Sequence, residues 1–314
     1  MSQGLSRKTT LSQGGHPQNK SDKKGSILME FRPCIDIHNG KVKQIVGGTL
    51  KDAGDFAAEN FVSEQDAAFY ARLYRQYGLR NGHIILLNPP SSEYYQATLR
   101  QAEAALAAWP GGLQIGGGVN AENAARFLEK GASHVIVTSY VFRDGKVSMD
   151  RLGRLVSAAG KEHLVLDLSC RKKDGRYYIV TDRWQKFTDV EVTIDSLCEF
   201  AKYCDEFLIH AADVEGRAMG VERELVDILA KASERISGGI PDPHRDGTKK
   251  IFPITYAGGV GSFEDLRWLK LEGKDRINVT IGSALDLFGG SMNFERVLRT
   301  CGELRTCGKD TVSE

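Results

Sequence analysis

The 314-residue sequence predicts an α/β fold, a (β/α)8 TIM barrel built from two duplicated half-barrels. Three observations predict it. Short β-branched apolar runs alternate with helix-like stretches from residue 31 onward. The runs number eight, and each is followed by a helical pattern, as a closed parallel sheet wrapped in helices requires. Features of the first half also return in the second.

Taken in order, the strands are FRPCIDI (31–37), HIILLN (83–88), LQIGG (113–117), HVIVTS (134–139), LVLDLS (164–169), EFLIHA (206–211), ITYAGG (254–259) and INVTIGS (277–283). They are nearly continuous in apolar residues, which suits strands covered on both faces. Between them lie SEQDAAFYARLYRQYG, AENAARFLEKG, VERELVDILAKASERI and SFEDLRWLKLEG. In these, apolar residues recur at three- and four-residue spacing, and glycine stands near several ends. An open doubly wound sheet needs the same alternation, but no G-x-G-x-x-G follows the first strand, and eight units favour closure. The echo is local but ordered. Gly117-Gly118-Val119 returns as Gly258-Gly259-Val260, Val137-Thr138-Ser139 corresponds to Ile281-Gly282-Ser283, and Asp36 to Asp167.

Composition sets the frame. Hydrophobic residues make up 41% and charged residues 26%, the balance of a globular chain with a substantial core. A net charge of +1 gives no field suited to nucleic acid. No apolar run approaches the ~18 residues of a spanning helix, so no membrane partner is expected. Six scattered cysteines, without C-x-x-C pairs or metal-ligand spacing, fit reduced thiols of a cytoplasmic protein. Residues 1–28 are expected to be a disordered tail, although their Ser-rich, acid-poor composition also fits the end of an organelle transit peptide. Residues 29–300 form the single barrel domain of this reading, and 301–314 a C-terminal tail. The polar, Gly/Pro-rich stretch 237–252 is expected to be a surface loop without chemistry.

A barrel of this kind carries its site at the C-terminal ends of the strands. Strands one and five end at Asp36 and Asp167 and would face each other across the mouth. Two opposed carboxylates suit a general base and a general acid acting on two sides of one substrate. Gly117, Gly118 and Ser139 form one glycine-and-hydroxyl cluster, and Gly258, Gly259, Gly282 and Ser283 the other. Glycines let backbone N–H groups come close to a phosphate. The pair of clusters predicts a bis-phosphorylated small molecule whose middle lies between the aspartates.

PCIDIHNGKVKQIVGG, LQIGGGV, HVIVTSYVF, VLDLSCRKKDGRYYIVTDRWQKFTD, FLIHAADVEG, ITYAGGV and VTIGSALDLFGG together resemble the histidine-biosynthesis isomerases that act on phosphoribosylformimino-aminoimidazole carboxamide ribotide, in the variant typical of fungi and plants. The resemblance covers about residues 31–290. It implies an Amadori rearrangement of an aminoaldose to an aminoketose, with no metal or organic cofactor and a monomeric chain. Asp36 would then remove the proton from C2 of the ribose, and Asp167 would protonate the ring oxygen; the pairing is firmer than the direction. Many bacterial members have threonine where this chain has His210, which either sits buried on backbone carbonyls or orients a carboxylate or binds the intermediate. Asn88 stands where bacterial members place an aspartate. Trp184, in a hairpin-like stretch, is expected to fold over the aminoimidazole ring, and Asp213 either lines the mouth or caps a turn. Cys34 and Cys170, beside the aspartates, read as packing. The alternatives are the sister barrel, the cyclase subunit of imidazole glycerol phosphate synthase, and a non-catalytic barrel that binds phosphometabolites. The cyclase normally carries a lysine- and phenylalanine-bearing loop after its first strand, which DIHNGKVKQIVGG lacks.

Overall fold

A computed structural model describes residues 28–46, 49, 57–216, 219–238 and 251–302. The expected tails therefore lie almost wholly outside the described residues, as does most of the 237–252 stretch. The first half runs β1 (Cys34–His38), β2 (Lys41–Ile45), β3 (Glu59–Val62), α1 (Ala67–Gln76), β4 (Gly82–Leu86), α2 (Tyr95–Ala108), β5 (Leu113–Gly116), α3 (Ala124–Glu129), β6 (Val135–Val137), β7 (Phe142–Arg143), β8 (Lys146–Val147) and α4 (Met149–Ala159). The second half runs β9 (Leu164–Asp167), β10 (Cys170–Lys173), β11 (Arg176–Thr181), β12 (Lys186–Glu191), α5 (Ile194–Phe200), β13 (Glu206–His210), α6 (Arg223–Ser237), β14 (Ile254–Ala257), α7 (Phe263–Glu272), β15 (Ile277–Thr280) and α8 (Phe294–Cys301).

Eight of these strands pair in parallel in the order β1-β4-β5-β6-β9-β13-β14-β15, each the start of one strand–helix unit. The ring is sealed just upstream of β1. Phe31 bridges Val279 in parallel, Arg32 N–H donates to the Val279 carbonyl at 2.8 Å, and Val279 N–H donates to the Glu30 carbonyl at 3.0 Å. Closure leaves no open edge in the barrel.

The helices form where the local chemistry starts them. Ser148, Ser262 and Asn293 accept hydrogen bonds from the N–H groups of Arg151, Asp265 and Arg296, and Thr193 forms a capping box with Ser196. Each such cap stabilises its helix by about 1 kcal/mol. In α8, Phe294, Val297, Leu298 and Cys301 repeat at three- and four-residue spacing and are all buried against the core. Inside the barrel, Ile136, Val165 and Leu208 form a small apolar cluster with Ile85 packed on it, separate from the main core. Near the starts of the strands, the buried Glu206 carboxylate accepts from Gln114 at 2.8 Å, Thr255 at 2.6 Å and Arg32 at 3.4 Å. These contacts offset much of the cost of burying that charge.

Three two-residue hairpins decorate the barrel: Asn39-Gly40, Asp144-Gly145 and Asp174-Gly175, every central residue at positive φ. That is the mirror-image turn that matches strand twist. The last of them begins β10–β12, a three-stranded antiparallel sheet inserted after β9. Its far turn holds Asp182, Arg183 and Trp184 in succession at φ 51°, 57° and 66°. Backbone in this region costs of order 1 kcal/mol or more per non-glycine residue. The turn is fastened at the barrel mouth, since Asp182 N–H donates to the Ser139 hydroxyl at 3.3 Å and an Arg183 guanidinium nitrogen to the Leu87 carbonyl at 3.4 Å.

Candidate active site

Asp36 is the third residue of β1 and Asp167 the last of β9, four places apart in the ring of eight. Their surroundings differ. Burial pushes the Asp36 carboxyl up to about 7, with the His210 imidazole pulling it down and the Glu215 carboxylate pushing it up. Burial acts on Asp167 in the same sense, but His210 and two hydrogen bonds from Ser169 outweigh it and hold this carboxyl below the usual range. Ser169 gives both its backbone N–H, at 2.9 Å, and its hydroxyl, in a short contact, to Asp167 Oδ1. The same hydroxyl oxygen lies 3.1 Å from His210 Nδ1, which is 3.9 Å from Asp167 Oδ1. Burial opposes a charge on His210, yet Asp167, Glu215 and Asp36 together raise its pKa above the ordinary imidazole value.

A cavity of about 130 Å³ opens at this end of the barrel. Asp36, His210, Gly258, Gly259, Gly282 and Ser283 line it, together with His83 and Glu215. The C-terminal glycine cluster thus shares one space with Asp36. Asp167, Trp184, Gly117, Gly118 and Ser139 stand outside its lining. Trp184 lies against His210, the two rings 5.3 Å apart and inclined by 41°. At Gly117 and Gly259 the backbone excludes any side chain. A Cβ on Gly117 (φ +98°) would fall 2.1 Å from the Leu86 carbonyl oxygen, and one on Gly259 (φ +75°) 1.9 Å from that of Gly220. Both halves therefore use glycine to turn the chain sharply at the strand end. Among the described residues, no group of three or more His, Cys, Asp or Glu is placed to hold a metal ion.

The sequence profile of the family described as "Histidine biosynthesis protein" matches residues 30–244, more than half of the chain. The chain belongs to this family. It is 48% identical over 286 residues to a chloroplastic 1-(5-phosphoribosyl)-5-((5-phosphoribosylamino)methylideneamino)imidazole-4-carboxamide isomerase of Medicago truncatula, covering 90% of this chain and 85% of that protein. Isomerases of the same name from Yarrowia lipolytica and Saccharomyces cerevisiae are 45% and 41% identical. Each of those alignments covers 84% of this chain, and 94% and 95% of the respective relative.

In this histidine-biosynthesis barrel, several residues from the sequence reading prove to be structural. Asp213 does not line the cavity; its carboxylate accepts from Arg171 Nε at 2.7 Å and Lys172 N–H at 2.9 Å, which ties β10 to the loop after β13. The Asn88 side-chain oxygen accepts from Asn39 N–H at 2.8 Å and the Thr98 hydroxyl at 2.7 Å, so this residue braces the first hairpin turn. Cys170 is a buried thiol outside the cavity lining, while Cys34, also buried, lines the cavity beside Asp36; burial is the chief cause that raises the pKa of both.

His83, Ser169, Glu215 and Gln44 are site residues that sequence reasoning missed. His83 shares the alternation phase of Ile85, which lies in the interior cluster, so period two along β4 carried a signal. Burial, reinforced by His210, pushes it down to about 3, so it is neutral at physiological pH. Glu215 lies on the loop after β13, where no period constrains a side chain; one of its oxygens is buried without a hydrogen-bond partner. Gln44 on β2 donates to Cys34 Sγ at 3.6 Å and lies against Gly282, where it would collide with any Cβ.

Proposed function

We propose that the chain carries out the isomerisation for which its relatives are named, acting on a bis-phosphorylated aminoaldose and yielding the aminoketose by an Amadori rearrangement. The observation that carries the mechanism is the contrast between the two aspartates, one carboxyl raised to about 7 and the other held low, on opposite sides of one barrel mouth. Titratable groups whose environments drive them apart are how one site runs acid and base steps at one pH. Asp36, which gains and loses a proton near neutrality, takes the proton from C2 of the ribose. The Asp167 side of the mouth supplies the proton for ring opening. Gly258, Gly259, Gly282 and Ser283 hold the phosphate nearer Asp36, while Gly117, Gly118 and Ser139 hold the far one, with Trp184 over the aminoimidazole.

The proposal takes the working unit to be one chain in the cytoplasm. The barrel closes on itself through Phe31 and Val279, and Cys34, Cys170, Cys198 and Cys204 are free thiols. No helix among the described residues is long and apolar enough to cross a membrane.

Purified protein mixed with the aminoaldose should convert it to the aminoketose. Asp36→Asn and Asp167→Asn should each lose roughly 10²–10⁴-fold in kcat while still binding substrate. Binding without turnover by the unmodified protein would favour the cyclase or the silent binder, and supplying the aminoketose with ammonia would separate those two.

A further inference from the structure

His210 lines the cavity and Asp167 does not, although the two are joined through Ser169. We propose that His210 is the group that hands the proton to the ring oxygen, and that Asp167 and Ser169 are positioning residues that orient and charge it. This rests on the isomerase reading above.

The hydrogen-bond directions make the argument. A carboxylate only accepts, so the Ser169 hydroxyl proton is committed to Asp167. The hydroxyl oxygen must then accept at its other contact, which places a proton on His210 Nδ1, 3.1 Å away. The relay therefore runs from imidazole through hydroxyl to carboxylate, leaving Nε2 as the nitrogen that can exchange a proton with substrate. The His210 side chain is only 14% exposed, and Asp167 16%. The groups facing the imidazole come from every wall. Asp167 comes from β9, Asp36 from β1 and Glu215 from the loop after β13, and all three favour a charged ring. His83 from β4 is neutral, its ring 6.1 Å away, and Trp184 covers the ring from the inserted sheet at 5.3 Å. The raised pKa of His210 and the lowered one of Asp167 agree with a charged imidazole beside a carboxylate.

The proton count closes. Nε2–H protonates the ring oxygen as the C1–O bond breaks, that bond's electrons go to oxygen, and the nitrogen lone pair forms C1=N. Asp36 takes the C2 proton, and those electrons form C1=C2 while the iminium is neutralised. The enol O–H then returns a proton to Nε2 as C2=O forms, and Asp36 gives its proton to C1. Both groups end as they began.

The test is kcat and kcat/KM against pH for the unmodified protein, His210→Gln and Asp167→Asn. The proposal expects a bell whose acid limb reports Asp36 near 7 and whose alkaline limb lies above the ordinary imidazole value of about 6.5. His210→Gln should lose roughly 10²–10⁴-fold in kcat, with KM within a few-fold, and lose the alkaline limb. Asp167→Asn should keep that limb, moved to lower pH. An alkaline limb that survives in His210→Gln, or disappears in Asp167→Asn, overturns the assignment. Side-chain NMR of labelled histidine without substrate gives a second reading that does not depend on the variant's folding. His210 should titrate above its ordinary value, and lower in Ser169→Ala; a ring neutral from pH 6 to 8 sinks the relay. Absence of turnover by the unmodified protein would instead sink the isomerase reading, and the resonance tells the two failures apart.

Discussion

Asp36 on β1 and Asp167 on β9 stand four places apart in the ring of eight, yet fold into opposite electrostatic roles. Asp36 faces a cavity it shares with another carboxyl, Glu215, and the charge that favours its ionised form is an imidazole that also serves Asp167. Asp167 is followed two residues later by a buried serine that donates twice to it. At the equivalent place after Asp36 stands His38, buried on the strand. The duplicated halves thus kept the carboxylates and diverged in the residues that set their protonation. Charge state belongs to the neighbours, and the carboxyl merely reports it.

The largest way to expose that difference is stability. Asp36 rises from an ordinary carboxyl value of 3.8 to about 7, so its ionisation opposes folding. The penalty is absent below the unfolded value, grows as pH rises from about 4 to 7, and is complete above 7, where it amounts to ~4 kcal/mol. Asp36→Asn should therefore lose most of its turnover yet make the fold more resistant to urea at pH 8, with little gain at pH 4. An equal gain at both pH values would show that the burial of this charge is not the cause.

Asp167 should behave in the opposite sense. Ser169→Ala removes one hydrogen bond to an ionised, buried carboxylate and should cost about 1.5–3 kcal/mol at neutral pH. Because Asp167 is held below its ordinary value, its contribution is present above that value and fades as pH falls through the lowered one. The Ser169→Ala deficit in denaturant midpoint should therefore shrink towards pH 2; a deficit constant with pH would mean that only packing was lost. The smallest effect is expected of Glu215→Gln. Removing its charge should ease ionisation of Asp36, move the acid limb below about 7, and increase kcat/KM at pH 6 by less than about tenfold. A limb that moves upward would show that Glu215 does not act on Asp36 through charge.

Much of the fold was legible. Each of the eight apolar runs overlaps a barrel strand, because buried parallel strands must be apolar on both faces. All but the first overshoot the strand at its C-terminal end: ITYAGG stops pairing at Ala257, and INVTIGS at Thr280. Those extra residues are the glycines and hydroxyls of the site, where regular pairing gives way to turns. The inserted sheet was visible as a hairpin over β11 and β12, but its first strand, β10, was not. Asp144-Gly145 was a turn signal whose flanking strands, two residues each, were too short to read from pattern.

By itself, the sequence determined the barrel, and it singled out the recurrence between halves, both aspartates and both glycine clusters as candidates, because each follows from local pattern: apolar period, turn chemistry and ordered recurrence. Only the tertiary structure decided that Asp36 shares its cavity with Glu215 and His83, that Asp213 and Asn88 are tied into the scaffold, and that His210 lines the cavity while touching Asp167 through Ser169. These facts depend on which side chains meet from β1, β4, β9 and β13, segments up to about 170 residues apart in sequence. Protonation is a property of that meeting, since desolvation and neighbouring charge exist only once the chain has closed.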